Sequence, residues 1–323
     1  MTIPMQRFRV SEDSMRPTLV PGDEFVVTGS RTPVVGDIVT LPHPDRPDFW
    51  LVKRLKAGPG NRVDGRALGA GEAWVTSDNP RVETADSNRF GVVPMASLKT
   101  MVTRFDETTF LEAVALLSNE EPPFARVVEV LGPPPFWQRP AGFPTLVWLI
   151  MEQQVSLESG AAMYRRLHGL LGTITPEAVA GSSDADLRAI GVTRQKTAYL
   201  LELASSIVTG ELDLAALGEE TVVDARRTLL SIKGIGPWTA DAYLLSALRF
   251  PDVFPVGDRA LQVGTAEVLD LASAPPPDDL DMLSSPWRPV RAAAARIIWH
   301  AYLKTRGRVE PSDPTADSGH TPL

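Results

Sequence analysis

Short apolar runs, each bounded by glycine or proline, fill the first third of the sequence. This pattern is typical of β-strands in a small sheet. After Phe105 the apolar residues recur at helical spacing instead. The clearest strand-like runs are 24–27, 37–41 and 50–52, and the clearest helical faces lie within 143–151 and 200–208.

The change of period predicts an α+β protein with two domains. We expect a small all-β domain over residues 1–104 and an all-helical domain over residues 105–308. The polar segment 309–323 is predicted to be a disordered tail.

Composition narrows the possible chemistry. The 323 residues include no cysteine and only four histidines, which excludes disulfides, cysteine nucleophiles and iron–sulfur clusters and makes a metal site improbable. We therefore expect no metal and no cofactor. The sequence contains no apolar run near the ~20 residues of a membrane span and begins without a signal-peptide pattern. A cytoplasmic protein without a membrane partner is expected.

Charge is distributed unevenly along the chain. Residues 1–104 carry 14 basic and 12 acidic side chains, whereas residues 105–323 carry 18 basic and 28 acidic ones. An acidic helical domain is unfavourable for a polyanionic partner, so nucleic-acid binding there would depend on backbone groups and a few local cations. The candidate cations are Arg194, Lys196, Lys233 and Arg259.

The stretch 228–244 predicts two helices joined by a tight glycine turn. The first helix ends near Ile232, Gly234 and Gly236 form the turn, and Pro237 begins the second helix, where its fixed φ is favourable. The exposed amides at the start of that helix form a ready anion site, for which phosphate is the natural ligand. A simple packing corner between helices is the alternative.

Asp258 follows this turn at a sequence distance that allows the chain to fold back to the hairpin. It lies 22 residues after Gly236, enough for one helix and a return loop. Its carboxylate could therefore lie beside the hairpin. Asp258 could equally be the N-cap of a helix that starts near Arg259, and the two interpretations are compatible.

These residues resemble the helix-hairpin-helix GPD superfamily of DNA base-excision glycosylases, and within it the AlkA-type 3-methyladenine DNA glycosylases. The likeness covers roughly residues 110–305. The motifs that carry it are KGIGPWTA at 233–240, FPVGD at 254–258, IMEQQVS at 150–156, GVTRQK at 191–196 and WRPVR at 287–291 with Ile298 and Trp299.

The resemblance implies that Asp258 is the catalytic carboxylate of a monofunctional glycosylase. Cleavage of an N-glycosidic bond develops positive charge on the sugar, which a fixed carboxylate stabilises. Trp238 and Trp299 match the family's base-pocket tryptophans, although core packing is an equal alternative for Trp299. Trp238 also stands where strand-cutting members carry a Schiff-base lysine.

The resemblance also implies a DNA-binding set. Gln154 matches the residue that fills the stack when a nucleotide is extruded from duplex DNA. Gln153 and Gln154 could otherwise be ordinary loop or cap residues. The remaining DNA-binding candidates belong to the hairpin: Lys233, Gly234, Ile235 and Gly236.

A second set of motifs lies in the β half: EDSMRPTLVPGD at 12–23, WLVKRL at 50–55, WVTSDNP at 74–80 and ADSNRFGVVP at 85–94. This ordered set resembles the signal peptidase I superfamily of serine/lysine peptidases over about residues 8–104, and among them the nickel superoxide dismutase maturation peptidases. The resemblance implies that Ser14 is the nucleophile and Lys53 its general base, which requires a lysine made neutral by burial.

Three positions depart from the peptidase pattern. Glu12 replaces the glycine or serine usual two residues before the nucleophile, and an anion there opposes the charge of an oxyanion. Ser77 replaces a glycine, and Asn88 interrupts an Asp-Ser-Arg triplet. The alternative is that Ser14 and Lys53 are a turn residue and a surface cation on a retained scaffold.

The sequence thus favours a DNA-repair glycosylase that excises alkylated purines from double-stranded DNA, with a β domain that could act on a protein or peptide. One alternative is a cytoplasmic serine/lysine processing peptidase whose helical domain only binds DNA. Another is a DNA-binding module in which both sites have decayed.

Overall fold

The computed structural model describes residues 5–308, so the predicted tail at 309–323 lies outside the described residues. The chain divides into two compact units. The first takes in the chain up to Ala125 together with Pro286–Ala293, and the second takes in Arg126–Ser285 and the chain from Ala294 onward. Strands end at Met101 and the long helices begin at Glu107, so the units do not divide where the type of element changes.

The first unit is built on an antiparallel sheet. Seven strands pair in the order β1-β2-β9-β3-β4-β7-β8, and β5 and β6 form a separate hairpin. The strands are β1 Gln6–Arg9, β2 Glu24–Thr28, β3 Ile38–His43, β4 Arg46–Ala57, β5 Arg62–Val63, β6 Arg66–Ala67, β7 Glu72–Thr76, β8 Val93–Pro94 and β9 Lys99–Met101.

Alternation along β4 decides which side chains enter the core. Leu51, Lys53 and Leu55 are buried, whereas Val52 and Arg54 are half-buried. A period of two is the expected pattern for a strand with one buried face. Lys53 therefore occupies a core position between two leucines.

The first unit also contains helix α2, which is tied to the sheet by polar bonds. The buried carboxylate of Glu112 accepts a hydrogen bond of 2.6 Å from the Thr28 hydroxyl and a second bond from the Ser30 hydroxyl. The Phe124 and Trp287 rings pack with their centroids 4.9 Å apart, which joins the distant segment Pro286–Ala293 to this unit.

After the last strand the described chain is mainly helical, and one short helix, α1, lies among the strands. Helix α4 is almost entirely buried, as expected for a helix that is apolar on all sides. No helix among residues 5–308 is long and apolar enough to cross a membrane. The helices are α1 Ser87–Phe90, α2 Glu107–Glu120, α3 Pro122–Leu131, α4 Phe143–Glu152, α5 Leu157–Leu171, α6 Pro176–Ala180, α7 Asp184–Ala189, α8 Arg194–Val208, α9 Val222–Ser231, α10 Pro237–Ser246, α11 Arg259–Leu269, α12 Pro277–Ser284 and α13 Arg291–Thr305.

Candidate active sites

The α9–α10 hairpin has the predicted form. Helix α9 ends at Ser231, Gly236 is the N-cap of α10 and Pro237 is its first residue. Gly234 has a φ of +92°, and a Cβ there would lie 2.2 Å from the Tyr199 Cγ. The turn thus requires glycine at 234 both for its backbone conformation and for a close approach to α8.

Asp258 is both an N-cap and the centre of a tryptophan cluster. Its Oδ1 accepts hydrogen bonds from the Leu261 amide at 2.8 Å and from the Trp299 indole at 3.2 Å. Its Oδ2 accepts a hydrogen bond from the Trp238 indole at 2.7 Å. The cap fixes the backbone of the residue, and the two indoles fix the direction of its carboxylate.

The Asp258 carboxylate lines a cavity of about 330 Å³ in the second unit. Trp137, Trp238 and Trp299 contribute to its wall, and Leu149 and Leu245 add aliphatic surface. A concave site of this size is typical of small-ligand pockets, and it is large enough for one base. The structure therefore brings together all three residues predicted for base excision.

A buried ion pair in the same cavity was not predicted from the sequence. Arg139 donates two hydrogen bonds to the Glu152 carboxylate, at 2.9 and 3.1 Å, and both residues line the cavity. The Arg139 guanidinium also lies 3.9 Å from the centre of the Trp148 ring. The signal that could have revealed it is a lone acid, Glu152, at the end of an otherwise apolar helix.

The two glutamines after α4 have opposite surroundings. Gln154 is exposed and has a φ of +57°, a backbone conformation uncommon for a residue with a side chain. Gln153 is half-buried, and its side-chain amide donates to the Gly234 carbonyl at 2.8 Å and to the Thr239 hydroxyl at 2.9 Å. Only Gln154 is therefore free to reach outward.

The other DNA-binding candidates also differ in exposure. Lys233 and Gly236 are exposed. Ile235 is buried, so its side chain does not reach the surface. Its backbone amide already donates to the Ile232 carbonyl.

Lys196 is not a surface cation, contrary to the sequence-based expectation. It is 7% exposed, and its ammonium group donates to the Met151 carbonyl at 2.6 Å. Burial lowers its pKa, and the Glu152 carboxylate opposes that shift. Lys196, the last residue of the GVTRQK motif, thus makes a structural contact with the end of α4.

Ser14 and Lys53 meet in the first unit. Ser14 lies in a short 3-10 helix, Asp13–Met15, and accepts a hydrogen bond of 3.1 Å from the Lys53 Nζ. The two residues are 7% and 2% exposed. Burial lowers the pKa of Lys53, and the carboxylates of Asp86, Glu12 and Asp78 oppose the shift. A buried lysine held against a serine hydroxyl has the geometry of a general base and its nucleophile.

A small cavity of about 60 Å³ adjoins the two residues, with Phe8, Phe25 and Trp50 in its wall. The exposed residue Glu12 lines the same cavity.

Two of the departures from the peptidase pattern are accommodated by backbone contacts. The amides of Ser77 and Asn88 both donate to the Asp86 carboxylate at 3.0 Å. Any residue except proline can supply such an amide, so a serine and an asparagine preserve this arrangement. The Asn79 amide and side chain bond the carbonyls of Ser14 and Asp13 at 3.0 and 2.9 Å and fix the serine turn.

No group of three or more potential metal ligands (His, Asp or Glu) comes together within the described part of the chain.

Two family models match the chain. Residues 147–289 match the HhH-GPD superfamily of base excision DNA repair proteins, and residues 1–68 match signal peptidase, peptidase S26. The first range contains the hairpin and Asp258, and the second contains Ser14 and Lys53. The narrower likeness to nickel superoxide dismutase maturation peptidases stays a prediction.

The helical region has the fold of the HhH-GPD glycosylases. It is similar to DNA-3-methyladenine glycosylase of Bacillus subtilis, with 28% identity over 169 residues that make up 49% of this chain and 56% of the relative. The chain thus spans little more than half of that protein.

Two solved structures agree with this fold. DNA-3-methyladenine glycosidase from Bacillus halodurans is 27% identical, with a TM-score of 0.52 over 63% of this chain and 94% of that one. The 3-methyladenine DNA glycosylase of Schizosaccharomyces pombe, solved in complex with abasic DNA, is 23% identical, with a TM-score of 0.55 over 62% of this chain and 99% of that one.

Proposed function

We propose that the second unit is a monofunctional DNA glycosylase that hydrolyses the N-glycosidic bond of alkylated purines in double-stranded DNA, as a step of base excision repair. The observation that carries the proposal is the Asp258 carboxylate, held by two indole N–H groups at the wall of a base-sized cavity beside the glycine hairpin. The glycosylase relatives support the same reaction.

The hydrogen bonds of Asp258 leave one acceptor position for the reaction. A carboxylate oxygen has about two acceptor sites. Both sites of Oδ1 are used by N–H donors, whereas Oδ2, within residues 5–308, accepts only from Trp238. Oδ2 is therefore the atom that faces the sugar or the attacking water.

The reaction needs no covalent bond to the protein. The C1′–N bond breaks and its electron pair leaves with the base, while positive charge develops at C1′ and is stabilised by the Asp258 carboxylate. A water molecule then bonds to C1′ and releases its proton through Oδ2. An alkylated purine that is already cationic leaves as a neutral base, so strong general-acid assistance is unnecessary.

The aromatic wall favours a cationic base. The faces of indole rings attract cations, with a contribution of about 0.5–2 kcal/mol for each contact. Trp238 and Trp299 both line the cavity, and their N–H groups are directed to Asp258. The same two side chains can therefore orient the carboxylate and contact the extruded base.

A base-release assay on alkylated duplex DNA tests this function. Asp258→Asn should reduce release by at least about 100-fold, because the fixed negative charge is lost, while DNA binding persists. The matched control is Asp270→Asn at the other end of α11, where a left-handed C-cap tolerates asparagine. Base release by Asp258→Asn at the rate of Asp270→Asn would show that the carboxylate is not catalytic.

We infer a second candidate activity, a serine/lysine peptidase, for the first unit. It rests on the 3.1 Å hydrogen bond between the buried Lys53 and Ser14. A neutral Lys53 would take the Ser14 proton as Oγ bonds to a peptide carbonyl carbon. It would then pass that proton to the leaving amine, and water would release the acyl group. The carboxylate of Glu12 beside the site disfavours the oxyanion, which weakens this candidate.

Labelling by a fluorophosphonate probe tests the second activity. Ser14 should be modified in the full chain, and Ser14→Ala and Lys53→Met should abolish the modification. Ser11→Ala is the control, because Ser11 is exposed and lines the same cavity. Labelling that survives Lys53→Met would disprove the dyad. Asp258→Asn should leave the labelling unchanged, which separates the two sites.

A further inference from the structure

The last residues of α4 are held by three separate elements. The Met151 carbonyl accepts from the Lys196 ammonium on α8 at 2.6 Å. The Glu152 carboxylate is paired twice with Arg139. Beyond the helix, the Gln153 side chain bonds the hairpin. Three consecutive residues are thus fixed immediately before the exposed Gln154.

The Gln153 contact joins two parts of the proposed DNA-binding surface. Its side-chain nitrogen donates to the Gly234 carbonyl, which can only accept, so the orientation of the amide is defined. The same nitrogen donates to the Thr239 hydroxyl in the first turn of α10, and Thr239 is 1% exposed. Glycine at 234 is itself required by its φ of +92°. The turn that carries Gln154 is therefore bonded to the most constrained point of the hairpin.

We propose that Gln153 is a positioning residue that fixes Gln154 relative to the hairpin. Binding of the DNA strand by the hairpin and insertion of Gln154 into the base stack would then occur as one preorganised step. This inference rests on the proposed glycosylase function. Gln153 would touch neither the base nor the reacting sugar. Its role would be to hold Gln154 in its left-handed backbone conformation before DNA binds. Less conformational entropy would then be lost when the nucleotide is extruded.

Gln153→Met tests the role, because methionine keeps the length of the side chain and removes both donors. On a duplex with an alkylated purine in its normal pair, we expect kcat to fall about tenfold, the effect of losing about one net hydrogen bond's free energy. With the same lesion opposite a mismatched base, extrusion costs less, and the change should stay below about twofold. Thr239→Val, which removes one acceptor, should show the same trend with a smaller loss even if Gln153→Met folds poorly.

The Gln154→Ala background provides the matched control. If Gln153 acts by positioning Gln154, Gln153→Met should cause little further loss once Gln154 is truncated, because the two residues act as a unit. Fluorescence of a 2-aminopurine next to the lesion should fall in the same variants, since it reports extrusion directly.

Three results would overturn the inference: equal losses on paired and mismatched lesions, unchanged kcat on the paired lesion, or additive effects of the two glutamine variants. Failure of the glycosylase proposal is recognised separately, because the wild-type protein would then release no base. The 2-aminopurine signal on binding would still decide whether Gln153 controls extrusion.

Discussion

Lys53 is an ionisable side chain at a position that the alternation of β4 assigns to the core. Its neighbours on the same face, Leu51 and Leu55, are buried hydrophobic residues. A buried ammonium is costly unless it is paired or neutral, and burial is the largest cause of the lowered pKa of Lys53. An apolar side chain would be more favourable for folding at this position. A lysine here is thus better explained by the proposed chemistry with Ser14 than by stability.

This residue gives a stability prediction whose sign depends on pH. Because the pKa of Lys53 is lower in the folded state, the unfolded chain binds the proton more tightly, and stability rises as pH increases toward the ordinary lysine value. Lys53→Met should therefore stabilise the protein at neutral pH, and its advantage should shrink near pH 10. Urea unfolding at both pH values measures the difference.

The control for this prediction is Lys56→Met on the same strand, where the side chain is exposed. It should change stability little at either pH, because no burial cost is removed. If Lys53→Met destabilises the protein at neutral pH, the ammonium group is a net contributor to folding and the functional explanation loses its basis.

At the scale of elements, the hairpin depends on two glycines for different reasons. Gly234 has a positive φ, and a Cβ at this position would collide with the Tyr199 side chain. Gly236 has an extended backbone, and a Cβ there would meet no atom of residues 5–308 within 4 Å apart from its chain neighbours. The first glycine is required by both conformation and contact, and the second serves mainly as an N-cap.

Alanine substitutions should separate the two roles. Gly234→Ala should cost about 2–4 kcal/mol of unfolding free energy, from backbone strain and from displacement of Tyr199. Gly236→Ala should cost less than about 1 kcal/mol, because alanine can adopt its φ and only cap preference is lost. Thermal or urea unfolding of the two variants measures both free-energy losses. Equal costs would mean that the close approach between the turn and α8 does not constrain the hairpin.

The sequence predicts this element well because its signals are local. Two glycines followed by proline define the turn, and Asp258 before Arg259 defines the next N-cap. It does not reveal that Gln153 faces inward and Gln154 outward, since this reversal arises from the left-handed backbone of Gln154. The prediction of Lys196 as a surface cation is wrong for a related reason: its partner Met151 is 45 residues away, and no local pattern encodes that contact.

At the scale of the whole molecule, the change from strands to helices and the division into compact units fall at different places. The change from strands to helices is visible in the sequence near residue 104, because the spacing of the apolar residues changes there. The compact unit that contains the sheet continues to Ala125 and includes Pro286–Ala293. Glu112 on α2 shows why: the hydroxyls that satisfy its carboxylate belong to Thr28 and Ser30, more than 80 residues earlier. The predicted domain boundary at residue 104 stays a prediction.

A truncated chain tests which boundary governs folding. In residues 105–308 expressed alone, the α2 face that carries Glu112 loses its sheet partners, so α2 should fray while the helices of the second unit persist. Hydrogen exchange should show α2 amides at least about 100-fold less protected than in residues 1–308, because a helix of this length is marginal in water without packing. The amides of α10, in the other compact unit, serve as the internal control. Full protection of α2 in the truncated chain would place the folding boundary at residue 104, and the bonds from Glu112 to the sheet would then be dispensable for the helix.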